Sequence, residues 1–132
     1  MSVLVVIPCL NEEAHLPGLL EYLRADPNAA RIIVADGGST DRSIEIVRRA
    51  ADADPRVVLI HNPERIQAAG VNAAVNTHGG DSAFFVRVDA HAAYPEDFLA
   101  RLIEAQSETG ADSVTVSMRA VAARGACFHQ AV

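Results

Sequence analysis

The sequence predicts an α/β fold: a mostly parallel, doubly wound sheet flanked by helices. Two observations carry the prediction. Short runs of β-branched and apolar residues alternate with longer stretches of helical period, and strands separated by roughly 10–15-residue helices pair in parallel through right-handed crossovers. Three polar segments also directly follow apolar runs: Pro8-Cys9-Leu10-Asn11-Glu12-Glu13, Asp36-Gly37-Gly38-Ser39-Thr40-Asp41 and Asp89-Ala90-His91. In an open α/β sheet this places them at the carboxyl ends of the strands, where ligands bind.

Residues 3–7 form the first expected strand. Leu16, Leu19, Leu20 and Leu23 then recur at helical spacing, with Pro17 in the first turn and a stop near Asp26-Pro27. A second strand, 32–35, leads into a helix capped by Ser39 or Thr40, with Ile44, Val47 and Ala51 inward and Glu45 paired to Arg49. Residues 57–60 make a third strand, ending in the turn-prone His61-Asn62-Pro63. The helix expected over 66–77 carries Ala69, Gly70, Ala73 and Ala74, side chains small enough for close approach to the sheet, and stops at Gly79-Gly80. Strand 83–88 precedes Asp89. Pro95-Glu96-Asp97 opens a helix with Phe98, Leu99, Leu102 and Ile103 inside, and Gly110 ends it. Residues 113–117 read as a fifth strand, and the tail has no clear period.

The chain has 132 residues, enough for a single domain over 1–132 and too few for two. Such a length buries roughly two-thirds of its unfolded surface, so a core forms without disulfides or metal. Cys9 and Cys127 lack the count and spacing of a disulfide framework, and are expected reduced and mostly buried. A net charge of −6, with no basic cluster beyond Arg48-Arg49, argues against nucleic acid. No apolar run approaches the ~18 residues of a membrane span, and no positive segment precedes the first strand, so the expected location is cytoplasmic.

Each polar segment has a structural and a chemical reading. Asp36 before two glycines and a helix start is a capped turn, or a site that reads a base or ribose, with Asp36 accepting from a pyrimidine ring N–H. Asn11-Glu12-Glu13 is a solvated helix start, or one wall of a crevice. Asp89-Ala90-His91 is a turn, or a cation site whose metal neutralises a diphosphate. A hard cation suits Asp89, and an imidazole at His91 favours Mn²⁺ over Mg²⁺.

Together, Val-Ile-Pro-x-x-Asn-Glu-Glu, Ile-Val-Ala-Asp-Gly-Gly-Ser-Thr-Asp, Ala69-Gly70-Val71-Asn72 and Arg-Val-Asp-Ala-His resemble the nucleotide-sugar-binding half of a family 2 glycosyltransferase of GT-A fold, the nucleotide-diphospho-sugar transferase type, and within it the succinoglycan exopolysaccharide branch. The resemblance covers nearly the whole chain. It implies a nucleotide site made by Pro8, Leu10, Asn11, Glu12, Asp36 and Gly38, with Asn72 on the helix that backs it and Arg65 placed to touch phosphate. It implies Mn²⁺ or Mg²⁺ on Asp89 and His91, a nucleotide-diphosphate sugar as donor with UDP favoured, and a glycan acceptor. Two positions depart from the pattern: Gly37 replaces a second aspartate, and His91 the last aspartate of the metal motif.

No catalytic residue is assigned. The acid that serves as base in this family follows the metal motif and its next strand, whereas the last acidic residue here is Asp112, and His129 in the tail is read as incidental. A truncated donor-binding half is therefore expected, acting at the inner face of the membrane through a partner. The alternative is a non-catalytic module that self-associates as a homo-oligomer through apolar surface at Val114, Val116, Met118 and Val121. A receiver-like or dinucleotide-binding domain fits less well, since no Gly-x-Gly-x-x-Gly follows the first strand.

Overall fold

The computed structural model describes residues 2–80 and 82–117. Its elements alternate: β1 (Val3–Cys9), α1 (Leu16–Arg24), β2 (Ala29–Asp36), α2 (Ser43–Ala53), β3 (Val57–His61), α3 (Gln67–His78), β4 (Phe84–Arg87) and α4 (Phe98–Thr109). The four strands form one parallel sheet of order β3-β2-β1-β4, with β1 and β2 central. Reversal of strand order around β1 opens a crevice at the carboxyl edge.

Side-chain alternation splits the core into two layers. Val3, Val5, Ile7, Ile32 and Val34 pack against Leu16, Leu19, Leu20 and Leu23 of α1, Val47 of α2, and Phe98 and Leu99 of α4. Leu4, Val6 and Ile33 face the other way, onto Ala74 of α3 with Val71 and Val75. The small face of α3 permits close docking: a Cβ on Gly70 would lie 3.0 Å from both Ala35 Cβ and Asn62 Nδ2.

Pro8 sits in a central strand without breaking the ladder. Val6 O accepts from Val88 N and Cys9 O from Gly37 N, so alternation turns the Pro8 nitrogen toward β4, whose pairing with β1 ends at Val6. The missing N–H falls where no ladder bond is required. At the opposite edge of the sheet, the Arg56 guanidinium donates to Asp54 and to the carbonyls of Arg24, Asp26 and Ala29. It ties the end of α1, the start of β2 and the α2–β3 turn together.

The helices lie close to their expected spans, and the anticipated Glu45–Arg49 pair is present at 2.8 Å. Two expectations fail. Residues 113–117 form no strand and pair with none of the described strands. β-Branched alternation supplies side chains for one face but not a ladder, and Val114 and Val116 line a cavity over β4 and α4 instead. Nor do Ser39 and Thr40 cap α2, which begins later, at Ser43, with no side-chain cap. Both residues are used between loops, as described below. The inner face of α2 is accordingly Ser43, Val47 and Ala50, while Ile44 and Ala51 are half-buried.

Cys9 is buried and unpaired, and Cys127 lies outside the described residues. Val116 is exposed and Val114 half-buried, and Met118, Val121 and His129 lie outside the described residues.

Candidate functional site

The loops that leave β1 and β2 are joined by reciprocal hydrogen bonds. Asn11, held at φ 52°, donates its backbone N–H to Ser39 Oγ at 2.9 Å and accepts at Oδ1 from Thr40 N at 2.8 Å and Asp41 N at 3.3 Å. Glu12 N donates to the buried Ser43 Oγ at 2.9 Å. Glu13 N donates to Asp41 Oδ2 at 3.1 Å, and Glu13 Oε2 accepts from Arg42 N at 3.3 Å. A short polar side chain accepts well from free N–H groups at a helix start, and here each loop supplies the other's acceptors.

Asp36 anchors the second loop. Its side chain, 3 % exposed, accepts from Gly38 N at 2.9 Å, Ser39 N at 3.0 Å and Ser39 Oγ. Those bonds shape the Gly37-Gly38 turn, where Gly38 takes φ +103°, a conformation that costs glycine little. The third loop joins in through Asn62, whose N donates to Asp36 O at 2.7 Å and whose buried amide donates to Ile66 O at 2.9 Å. Arg65, at φ 60°, donates from Nε to Gly37 O at 2.8 Å.

The fourth loop follows β4. Asp89 Oδ1 accepts from Arg87 at 3.3 Å and its side chain is 26 % exposed. His91 Nδ1 lies 3.2 Å from Glu12 Oε1, which links the last loop to the first. Burial pushes the Cys9 thiol, under the first loop, up to about 11, with Ser43 hydrogen bonding opposing the shift and the Asp36 charge adding to it.

These loops enclose an open cleft of about 140 Å³, lined by Pro8, Leu10, Glu12, Arg65, Asp89 and His91 together with Cys9, Gly37, Asn62 and Gln67. Six of the residues singled out in the sequence thus share one cavity. Asn11, Asp36 and Gly38 stand behind the wall and set its shape, and Asn72 lies exposed on α3, away from the lining. Asn62 and Gln67 were missed. The signal for Asn62 was available: it is a polar residue directly after a strand, at the same sheet edge as the others, and His61-Asn62-Pro63 reads as a simple turn. A larger cavity, about 490 Å³, lies over β4 and α4 with mainly apolar walls. It lacks the convergence of polar loop ends that marks the cleft.

The chain matches the glycosyl transferase family 2 model over residues 4–126. The chain belongs to glycosyl transferase family 2. Succinoglycan biosynthesis protein ExoA of Rhizobium meliloti is 52% identical over 122 residues, 91% of this chain and 37% of that protein. The undecaprenyl-phosphate 4-deoxy-4-formamido-L-arabinose transferase of Pseudomonas aeruginosa is 37% identical over 106 residues, 76% of this chain and 31% of that protein. The chain therefore spans about a third of the length of these curated relatives. Among solved structures, the mannosyltransferase PcManGT from Pyrobaculum calidifontis superposes with TM-score 0.67 at 25% identity, over 81% of this chain and 32% of that one. Glucosyl-3-phosphoglycerate synthase from Mycobacterium tuberculosis gives TM-score 0.59 at 18% identity, over 82% of this chain and 40% of that one. The family 2 fold is thus the parallel α/β sheet expected. Among the described residues no helix is long and apolar enough to cross a membrane.

Proposed function

We propose that this family 2 domain binds the nucleoside diphosphate of a sugar donor in the cleft at the carboxyl edge of the sheet, as the donor half of a glycosyl transfer to a polysaccharide or glycan acceptor. The observation that carries the proposal is convergence. Loops from all four strands contribute to one small cavity, and those loops hold its two carboxylates, Glu12 and Asp89, beside one guanidinium and one imidazole. PcManGT, which shares the fold, was solved in complex with GDP-Man and Mn²⁺.

The residues present fit a divalent cation of the kind that draws most of its ligands from substrate and water. No group of three or more His, Cys, Asp or Glu among the described residues is arranged to hold a metal, so a closed protein cage is not available. Asp89 and His91 offer two donors, and such cations are commonly held by one or two protein groups plus substrate phosphates. Bound there, the cation would offset the charge of the diphosphate leaving group.

The chain's own groups divide the remaining work. Arg65, already fixed through Nε to Gly37 O, keeps its other nitrogens for phosphate. Pro8, Leu10 and Gly37 offer backbone and apolar surface for the base. The Asp36 carboxylate, spent on three hydrogen bonds to Gly38 and Ser39, shapes the Gly37-Gly38 turn that the base would meet. Asn11 and Gly38 preset the two loops. No residue is assigned as the base that takes the acceptor's proton.

Calorimetric titration with UDP and GDP, each with and without Mn²⁺, tests the proposal. Metal-dependent heat with one nucleotide is expected; no heat and no thermal shift with either overturns it. A second reading, self-association, is favoured by the exposed Phe85 on edge strand β4 and by Val116 beside it. A concentration-dependent mass by size-exclusion chromatography would support it, and a fixed monomer would remove it.

A further inference from the structure

Asp89 is the first residue beyond the sheet. The last ladder bond at this end of β4 runs from Val88 N to Val6 O at 2.9 Å, so the Asp89 peptide groups need other partners. Tyr94 supplies one for each. Its phenol oxygen accepts from Asp89 N at 2.8 Å, and its hydroxyl donates toward Asp89 O at 3.4 Å. The ring is half-buried and packs on Phe98 of α4, with centroids 4.7 Å apart and planes tilted by 47°. Tyr22 of α1 donates its hydroxyl to Pro95 O, next to Tyr94 in the chain.

What lies behind the loop gives this bond its consequence. A second cavity, about 220 Å³, is lined by His15, Gly18, Tyr22, Ala90, Ala92 and Tyr94, among others. Ala90 borders both this cavity and the cleft. The segment carrying Asp89 and His91 is therefore a partition between the cleft and an open hollow behind it, where side-chain packing is incomplete. Tyr94 does not itself line the cleft, and touches its wall only through the Asp89 backbone.

We infer that Tyr94 is a positioning residue, whose hydroxyl holds the Asp89-Ala90-His91 segment at the cleft and so sets the metal dependence of donor binding. The inference rests on the function proposed above. Without the hydroxyl, the Asp89 N–H loses its acceptor and the partition relaxes into the cavity behind it. Asp89 and His91 then meet a cation less often in the right place.

The test compares Tyr94→Phe with Tyr22→Phe, a control that removes a neighbouring phenol which does not touch Asp89. Titration with UDP and GDP, with and without Mn²⁺, is expected to show about a tenfold loss of Mn²⁺-dependent affinity in Tyr94→Phe, the size of one hydrogen bond lost at a partly buried donor. Binding without metal should be unchanged, and Tyr22→Phe should keep the full metal effect whatever its melting temperature. If Tyr94→Phe retains the wild-type metal effect, or if Tyr22→Phe loses it equally, the inference is overturned. Amide exchange of the wild-type protein gives a reading that needs neither ligand nor variant: the Asp89 N–H is expected to be protected, and an Asp89 amide exchanging at the free-chain rate overturns the inference. Failure of wild type to bind either nucleotide overturns the donor-site proposal instead, and the exchange measurement still decides whether Tyr94 holds the loop.

Discussion

Glu12 and His91, 79 residues apart in sequence, meet at 3.2 Å across the candidate cleft. The contact joins the loop after β1 to the loop after β4, and it places the histidine that replaces an aspartate of the family pattern beside a carboxylate. The second ring nitrogen of His91 remains for a cation or a donor oxygen.

His91→Asp restores a carboxylate next to Asp89 and opposite Glu12. Three acids facing one cleft repel one another until a cation arrives, so the variant should be less stable in chelator and bind Mn²⁺ roughly tenfold more tightly than wild type. Thermal melts with EDTA and with Mn²⁺, together with metal titration, check both effects. Unchanged metal affinity would place His91 outside the cation site.

Cys9 predicts an alkaline transition. Its thiol is pushed up to about 11 by burial, from an ordinary value of 9.0. The folded state therefore retains the proton that the unfolded state releases, and this contribution to stability is complete below pH 9 and lost as pH rises toward 11. Tyr22 and Tyr94, whose hydroxyls burial also raises, act in the same direction from about pH 10. Urea denaturation at a series of pH values, compared with Cys9→Ala, should show a shallower decline between pH 9 and 11 in the variant.

The Arg56 clasp predicts the opposite dependence at low pH. Hydrogen bonding from Arg56 holds the Asp54 carboxyl well below the usual carboxylate range, with Arg24 adding to the effect and burial opposing it. Stability from this pair is present above about pH 4 and lost as pH falls through the depressed value. Arg56→Ala should cost about 2 kcal/mol at neutral pH, because three carbonyls lose a charged donor along with Asp54. It should also flatten the acid limb of the stability curve.

Gly70→Ala sets two effects against each other. Alanine favours a helix by about 1 kcal/mol, but its Cβ would meet Ala35 Cβ and Asn62 Nδ2 at 3.0 Å. Ala35 is fixed in β2, and Asn62 is tied to Asp36 O and Ile66 O. Overpacking of this kind costs about 1–3 kcal/mol, so we expect a net loss of about 1 kcal/mol by urea denaturation. Nucleotide binding should weaken with it, because Asn62 is in the cleft wall.

The sheet and its four helices were legible because their signals are local. β-Branched runs mark the buried strands, and the leucines of α1 mark one face of a helix. Residues 113–117 show where this reasoning stops: alternation describes a side-chain pattern, while a strand also needs a neighbour with free peptide groups. The site divides in the same way. Glu12, Asp89 and His91 could be placed from their positions at strand ends. That Asp36 turns its carboxylate onto its own loop could not, since it depends on Ser39 and Gly38 folding back over it. Ser39 looked like a helix cap because its residue type suits both roles, and only the partner from the other loop, Asn11, decides between them.

The pairing of β1 with β4 has a consequence for how the cleft comes into being. β1 finds β2 after one helix and β2 finds β3 after another, but Ser2 and Ala83, which open the β1–β4 contact, are 81 residues apart. Closing so long a loop carries the largest entropic penalty among these pairings. The place of Asp89 and His91 beside the first loop therefore depends on the pairing that costs the chain most entropy. A disturbance at this outer edge would reach Asp89 and His91 before the loops that follow β1, β2 and β3.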